Sequence, residues 1–78
     1  MEIEFLCKNK KESGIIFEDI KYAISSVGIL ASINIIDNED YIMSKGVPKV
    51  PAMLINGKLI FFGKIPDREQ LIEEFNKY

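Results

Sequence analysis

The sequence contains no histidine, and Cys7 is its only cysteine. A single cysteine excludes a disulfide within the chain. The absence of histidine removes the side chain that most often binds metal ions and most often acts as a general base near neutral pH. The spacing of the aspartates and glutamates along the chain also matches no metal-binding motif. The sequence therefore predicts no metal site, and we expect no cofactor.

The sequence also lacks long apolar runs and a surplus of basic residues. No apolar run approaches the roughly 20 residues that a membrane-spanning helix needs, and the first residues lack the basic and apolar regions of a signal peptide. The net charge of −2 argues against a protein that binds nucleic acid through its phosphates. We therefore expect a cytoplasmic protein that binds neither membranes nor nucleic acid.

The residues that are present suit one small domain. Of the 78 residues, 47% are apolar and 28% are charged. Such a composition supplies one hydrophobic core and differs from that of disordered chains. We therefore expect residues 1–78 to fold as a single domain.

Hydrophobic periodicity predicts the elements of the first half. Apolar residues alternate over residues 2–7 and 29–36, which predicts two strands. Between them, an apolar stripe at helical period predicts a helix. Asn9 or Ser13 can supply the oxygen that caps its first turn, and Gly28 is suited to end it.

The middle of the chain carries signals for a short helix and a hairpin. Asp37 is expected to cap a helix that has Ile42 and Met43 facing inward. Residues 52–55 are apolar on both faces, as in a central strand. The pair Asn56-Gly57 is a strong hairpin signal.

The hairpin leads to a return strand over residues 58–62, in which Phe61 and Phe62 are expected to belong to the core. Asp67 and Gln70 then have the spacing of a capping box, which predicts a last helix. A helix between the first two strands requires a parallel pair, whereas the hairpin requires an antiparallel one. The predicted fold class is therefore α/β, in the order β-α-β-α-β-β-α, with a mixed four-stranded sheet and helices on both faces.

This order, with Val50-Pro51 opening the third strand, resembles the thioredoxin fold and the small thioredoxin-like proteins within it. Five segments that together span nearly the whole chain carry the resemblance. They are Met1-Glu2-Ile3-Glu4-Phe5-Leu6, Val27-Gly28-Ile29, Gly46 to Ala52, Ile55-Asn56-Gly57-Lys58, and Gly63 with Pro66.

The resemblance implies a cis peptide bond before Pro51, where the residues alone would suggest an ordinary trans proline at a strand entrance. In that family the cis bond leaves the backbone of the preceding residue, here Val50, free to pair with an extended peptide. The resemblance also implies a redox motif of two cysteines separated by two residues. At those positions this chain has Lys10 and Ser13.

The loss of both motif cysteines changes the expected chemistry. Without them the loop cannot alternate between dithiol and disulfide. Ser13 cannot replace the attacking cysteine because no histidine is available to activate it. The sequence therefore predicts that this member of the fold is not a dithiol–disulfide oxidoreductase.

Cys7 and the nearby lysines leave other roles open. Cys7 is either a small buried core residue or a lone reactive thiol whose thiolate is helped by Lys8 and Lys10. The lysines beside the first helix, together with Lys49, either form a solvated surface or attract acidic groups.

Three functions remain open at this point. The first is a redox-inactive module that binds a peptide or protein through Val50, Pro51, Lys49 and Lys10. The second is a thiol redox protein or sensor that acts through Cys7. The third is a structural or dimerising role, and the sequence leaves the oligomeric state undetermined.

Overall fold

The computed structural model describes residues 1–78, and its elements follow the predicted order. These are β1 (Glu2–Leu6), α1 (Gly14–Val27), β2 (Ser32–Ile36), α2 (Glu39–Ser44), β3 (Ala52–Ile55), β4 (Lys58–Phe62) and α3 (Arg68–Phe75). A short 3-10 turn, Lys10–Glu12, lies between β1 and α1. None of the helices is long and apolar enough to cross a membrane.

The four strands form one mixed sheet in the order β2-β1-β3-β4. β2 runs parallel to β1, as the intervening α1 requires. β3 is antiparallel to both β1 and β4. The fold class predicted from the sequence, a mixed four-stranded α/β sheet of the thioredoxin type, is confirmed.

The core has a larger and a smaller part, one on each face of the sheet. The larger part packs α1 and α3 against β1 and β3, and its largest buried side chains include Phe5, Ile20 and Phe75. The smaller part lies on the face that α2 covers and contains three buried residues, Leu6, Ala52 and Leu54. The helices therefore cover both faces of the sheet, as predicted.

The turn and capping signals of the second half are also present. Asn56 and Gly57 both have positive φ angles, 51° and 83°, as the tight turn between β3 and β4 requires. The side chain of Asp67 accepts a hydrogen bond from the Gln70 amide, and the Gln70 side chain accepts one from the Asp67 amide. These reciprocal bonds begin α3 at the predicted place.

The predicted start of α2 was wrong by one residue. Asn38, not Asp37, caps the helix, and its side-chain oxygen accepts a hydrogen bond of 2.9 Å from the Tyr41 amide. Asp37 instead accepts a bond of 3.1 Å from the Lys10 amide. The carboxylate therefore joins the end of β2 to the turn before α1, a long-range contact that local spacing does not encode.

Two side chains that were expected inside the protein are exposed. Met43 is 76% exposed because the short α2 packs through Tyr41 and Ile42, which leaves the next residue facing outward. Phe62 is 53% exposed because it is the last residue of the edge strand β4.

The second strand is shorter than predicted. It was expected over residues 29–36, whereas β2 begins at Ser32.

Candidate functional site

A cavity of about 290 Å³ opens at the carboxyl end of β1, between the start of α1 and the segment that precedes β3. We call it the proline cavity. Its lining consists of Phe5, Cys7, Lys8, Asn9, Glu12, Ser13, Ile16, Val50, Pro51 and Ile65. Four residues that the sequence had suggested are thus brought together: Cys7, Ser13, Val50 and Pro51.

The other two predicted site residues, Lys10 and Lys49, do not line the cavity. Lys49 lies beside Gly63, where a Cβ added to the glycine would be 3.4 Å from the lysine Cδ. The lysine stem is therefore directed toward the chain after β4. Lys10 is exposed, and its backbone N–H and C=O form hydrogen bonds with the side chains of Asp37 and Ser13.

The segment before β3 contains one residue at the proline cavity, Val50, whose backbone groups are unpaired. The Val50–Pro51 peptide bond is cis, and the carbonyl of Pro51 accepts a hydrogen bond of 2.8 Å from the Gly63 amide. By contrast, neither the N–H nor the C=O of Val50 forms a hydrogen bond within the chain. Val50 therefore has one free donor and one free acceptor beside the cavity.

The turn that contains Lys10 and Ser13 is held by its own hydrogen bonds. The Asn9 side chain accepts a bond of 3.0 Å from the Lys11 amide and so caps the turn. Ser13 is buried, and its hydroxyl donates a bond of 2.6 Å to the Lys10 carbonyl. The Ser13 hydroxyl thus has a hydrogen-bond partner within the turn.

Cys7 is held as a neutral thiol. Its side chain is 8% exposed and belongs to the larger core. Burial raises the pKa of the Cys7 thiol above its ordinary value, and the Asp37 carboxylate raises this pKa further. Lys10 acts in the opposite direction but has a smaller effect than either. The predicted help from lysine is therefore outweighed.

A second cavity of about 360 Å³, which we call the α2 cavity, lies on the other side of Cys7 and Val50. It shares these two residues and Lys8 with the proline cavity, and its remaining lining residues are Asp37, Glu39, Ile42 and Met43. Sequence reasoning missed it because Met43 was assigned to the core. The short length of α2 could have indicated this cavity, because a helix of six residues cannot bury side chains on all of its faces.

The charges around the two cavities are mixed. Lys8 borders both, Glu12 borders the proline cavity, and the carboxylates of Asp37 and Glu39 border the α2 cavity. Of the lysines beside α1 and Lys49, which were expected either to be solvated or to attract acidic groups, only Lys8 lines either cavity.

The mixed sheet, the helices on both of its faces and the proline cavity at the end of β1 define a thioredoxin-like domain. The family model described as "Thioredoxin domain" matches residues 1–76, and the chain belongs to this family. The resemblance drawn from the sequence is thereby confirmed, and the single cysteine agrees with the lack of the two-cysteine motif. No match to a curated protein was found.

Proposed function

We propose that this thioredoxin-domain protein is a redox-inactive binding module that holds an extended segment of a peptide or protein in the proline cavity. One observation carries the proposal, namely the free N–H and C=O of Val50 at the edge of a cavity that is partly lined by apolar side chains. An extended ligand can satisfy both groups through its own backbone, as in recognition by strand addition.

The lining of the proline cavity supports a ligand that has an apolar side chain. Phe5, Ile16 and Pro51 supply apolar surface, and Ile65 at the rim is 55% exposed. Burying an exposed aliphatic side chain against a ligand is favourable by about 25 cal/mol for each Å² removed from water. Backbone pairing at Val50 together with an apolar side chain in the cavity is the mode of binding we propose.

Redox inactivity follows from the number of thiols. A dithiol–disulfide cycle within one chain needs two cysteines, and this chain has only Cys7. The alternative of a sensor based on Cys7 alone is less well supported, because burial and Asp37 both raise the pKa of this thiol. The raised pKa lowers the fraction of reactive thiolate.

Peptide selection with paired variants tests the proposed binding mode. Linear peptides are selected on the wild-type protein from a random display library, and their affinities are measured by fluorescence anisotropy. Ile65→Glu adds a charge at the rim of the proline cavity, so we expect affinity to fall by about tenfold or more. Phe62→Glu is the control, since Phe62 has almost the same exposed fraction but lies outside this cavity.

The comparison of the two variants gives a clear decision. A peptide that loses affinity for Ile65→Glu and keeps it for Phe62→Glu supports the proline cavity as the binding site. Failure to select any peptide, or equal losses in both variants, would contradict the proposal.

A further inference from the structure

One edge of the sheet presents unpaired backbone from β2. The only strand beside β2 is β1. The Ser32 amide donates to the Met1 carbonyl, and the Ile36 carbonyl accepts from the Cys7 amide, both at 2.9 Å. Because successive residues of a strand point their backbone groups to opposite sides, the N–H and C=O groups of Ile33 and Ile35 face the open edge.

This edge lacks the features that usually prevent strand pairing. Charged residues and proline commonly protect sheet edges, yet residues 22–36 contain neither. Leu30, just before the strand, is 92% exposed. The opposite edge strand, β4, begins with the charged Lys58, and its pairing with β3 is irregular between Met53 and Leu54.

The sequence of β2 is compatible with pairing to itself. In an antiparallel pair centred on Asn34, Ile33 of one chain lies opposite Ile35 of the other, and the two asparagines face each other. No like charges meet in this arrangement because the strand has no charged residue. A charged edge would repel its own copy, so the absence of charge favours a second copy of this chain as the partner.

We infer that two copies associate through antiparallel pairing of β2 with β2, centred on Asn34, to form one eight-stranded sheet. Ile33 and Ile35 exchange four backbone hydrogen bonds across the two-fold axis. This interface goes beyond the proposed peptide binding and does not depend on it, because β2 lines neither the proline cavity nor the α2 cavity.

The test uses charge at the two-fold axis. Sedimentation velocity is run on the full chain from about 10 µM to about 1 mM, the range suited to weak interfaces. The wild type is expected to approach twice the 8.9 kDa of one chain as its concentration rises. Asn34→Lys and Asn34→Asp each place like charges opposite one another, so each variant is expected to stay monomeric.

Two controls make the test specific. An equal mixture of Asn34→Lys and Asn34→Asp places opposite charges at the axis, so the dimer is expected to return. Asn76→Lys makes the same substitution at an exposed position at the end of α3 and is expected to dimerise like the wild type. Circular dichroism and thermal unfolding are used to check that each variant is folded.

Amide hydrogen exchange locates the interface. The Ile33 and Ile35 amides are expected to become protected as the wild-type concentration rises, whereas the Asn34 amide already faces β1. The inference would be overturned by a wild type that remains monomeric, by single variants that associate as the wild type does, by a mixture that stays monomeric, or by protection at β4 instead.

Discussion

At the scale of single residues, Cys7 and Val50 lie beside the same two cavities but contribute different chemical groups. Both border the proline cavity and the α2 cavity, as Lys8 also does, so they lie between the two cavities. Cys7 contributes a buried neutral thiol, and Val50 contributes free backbone groups. The sequence brought Cys7, Ser13, Val50 and Pro51 to attention, but the direction of Lys49 depends on its packing beside Gly63 and was not predictable from spacing.

The buried thiol makes a prediction about reactivity and pH. Because burial and Asp37 raise the pKa of Cys7, its thiolate fraction near pH 7 is below that of a free cysteine, whose pKa is about 8.5. We expect the rate of iodoacetamide labelling, followed by mass spectrometry, to rise only at a pH above this value. The same protein unfolded in guanidinium chloride is the control and should label with an ordinary pH profile.

The opposite outcome would restore the hypothesis of a reactive thiol. A half-maximal labelling rate in the folded protein at a pH well below that of the unfolded control would mean that the thiolate is stabilised. It would then favour a sensor function for Cys7 over a purely structural one.

At the scale of elements, the sequence correctly predicted the turn and the helix cap that depend only on residues close together in the chain. The Asn56-Gly57 turn and the capping box at Asp67 both lie where the sequence indicated, because each depends on neighbouring residues. The cap of α2 was misplaced because Asp37 bonds to Lys10, far away in the chain. The exposure of Met43 was missed for a similar reason, since helical period alone does not show how much of a short helix is covered.

The capping box of α3 can be tested by a pair of substitutions. Asp67 accepts a hydrogen bond of 2.8 Å from the Gln70 amide, and Asp67→Ala removes the acceptor. We expect a loss of about 1 kcal/mol in the free energy of unfolding, measured by urea denaturation. Asp67→Asn keeps a side-chain oxygen and should stay close to the wild type, so equal losses in both variants would argue against the cap.

At the scale of the whole molecule, the fold retains the family's architecture while the redox pair is absent. The order of helices and strands along the chain, the number of helices and the family were all accessible from the sequence, because they follow from periodicity, turns and five ordered segments. The α2 cavity was not predictable from the sequence, because it depends on how much of the sheet a six-residue helix covers.

Restoring the missing thiols tests whether the scaffold still supports the chemistry. Lys10 and Ser13 are the ends of one tight turn, in which the Ser13 amide donates to the Lys10 carbonyl at 3.2 Å. In a Cys7→Ala background, the pair Lys10→Cys and Ser13→Cys is therefore expected to oxidise within the chain. Intact mass and thiol titration measure this, and a chemical reductant should reverse it.

The control for this experiment is the pair Lys11→Cys and Ser13→Cys in the same background, since side chains two residues apart in a helical turn do not face each other and should not bridge. A separate assay tests the wild type itself. Because it has one cysteine, wild-type protein should show no sustained turnover of a disulfide substrate in a reductase-coupled assay. Steady turnover by the wild type would contradict its proposed redox inactivity, and equal oxidation of both cysteine pairs would contradict the matching of Lys10 and Ser13 to the motif.

The unequal division of the core has a mechanical consequence for the two adjoining cavities. The proline cavity is bounded by α1, which is anchored in the core part that holds ten buried residues, whereas the α2 cavity is bounded by a helix packed on only three. Local opening costs less free energy where fewer apolar side chains are buried. A ligand lying across Val50 would therefore contact a rigid wall on the side of α1 and a more yielding wall on the side of α2. The rigid wall would discriminate among side chains, and the yielding wall would tolerate variation in their size.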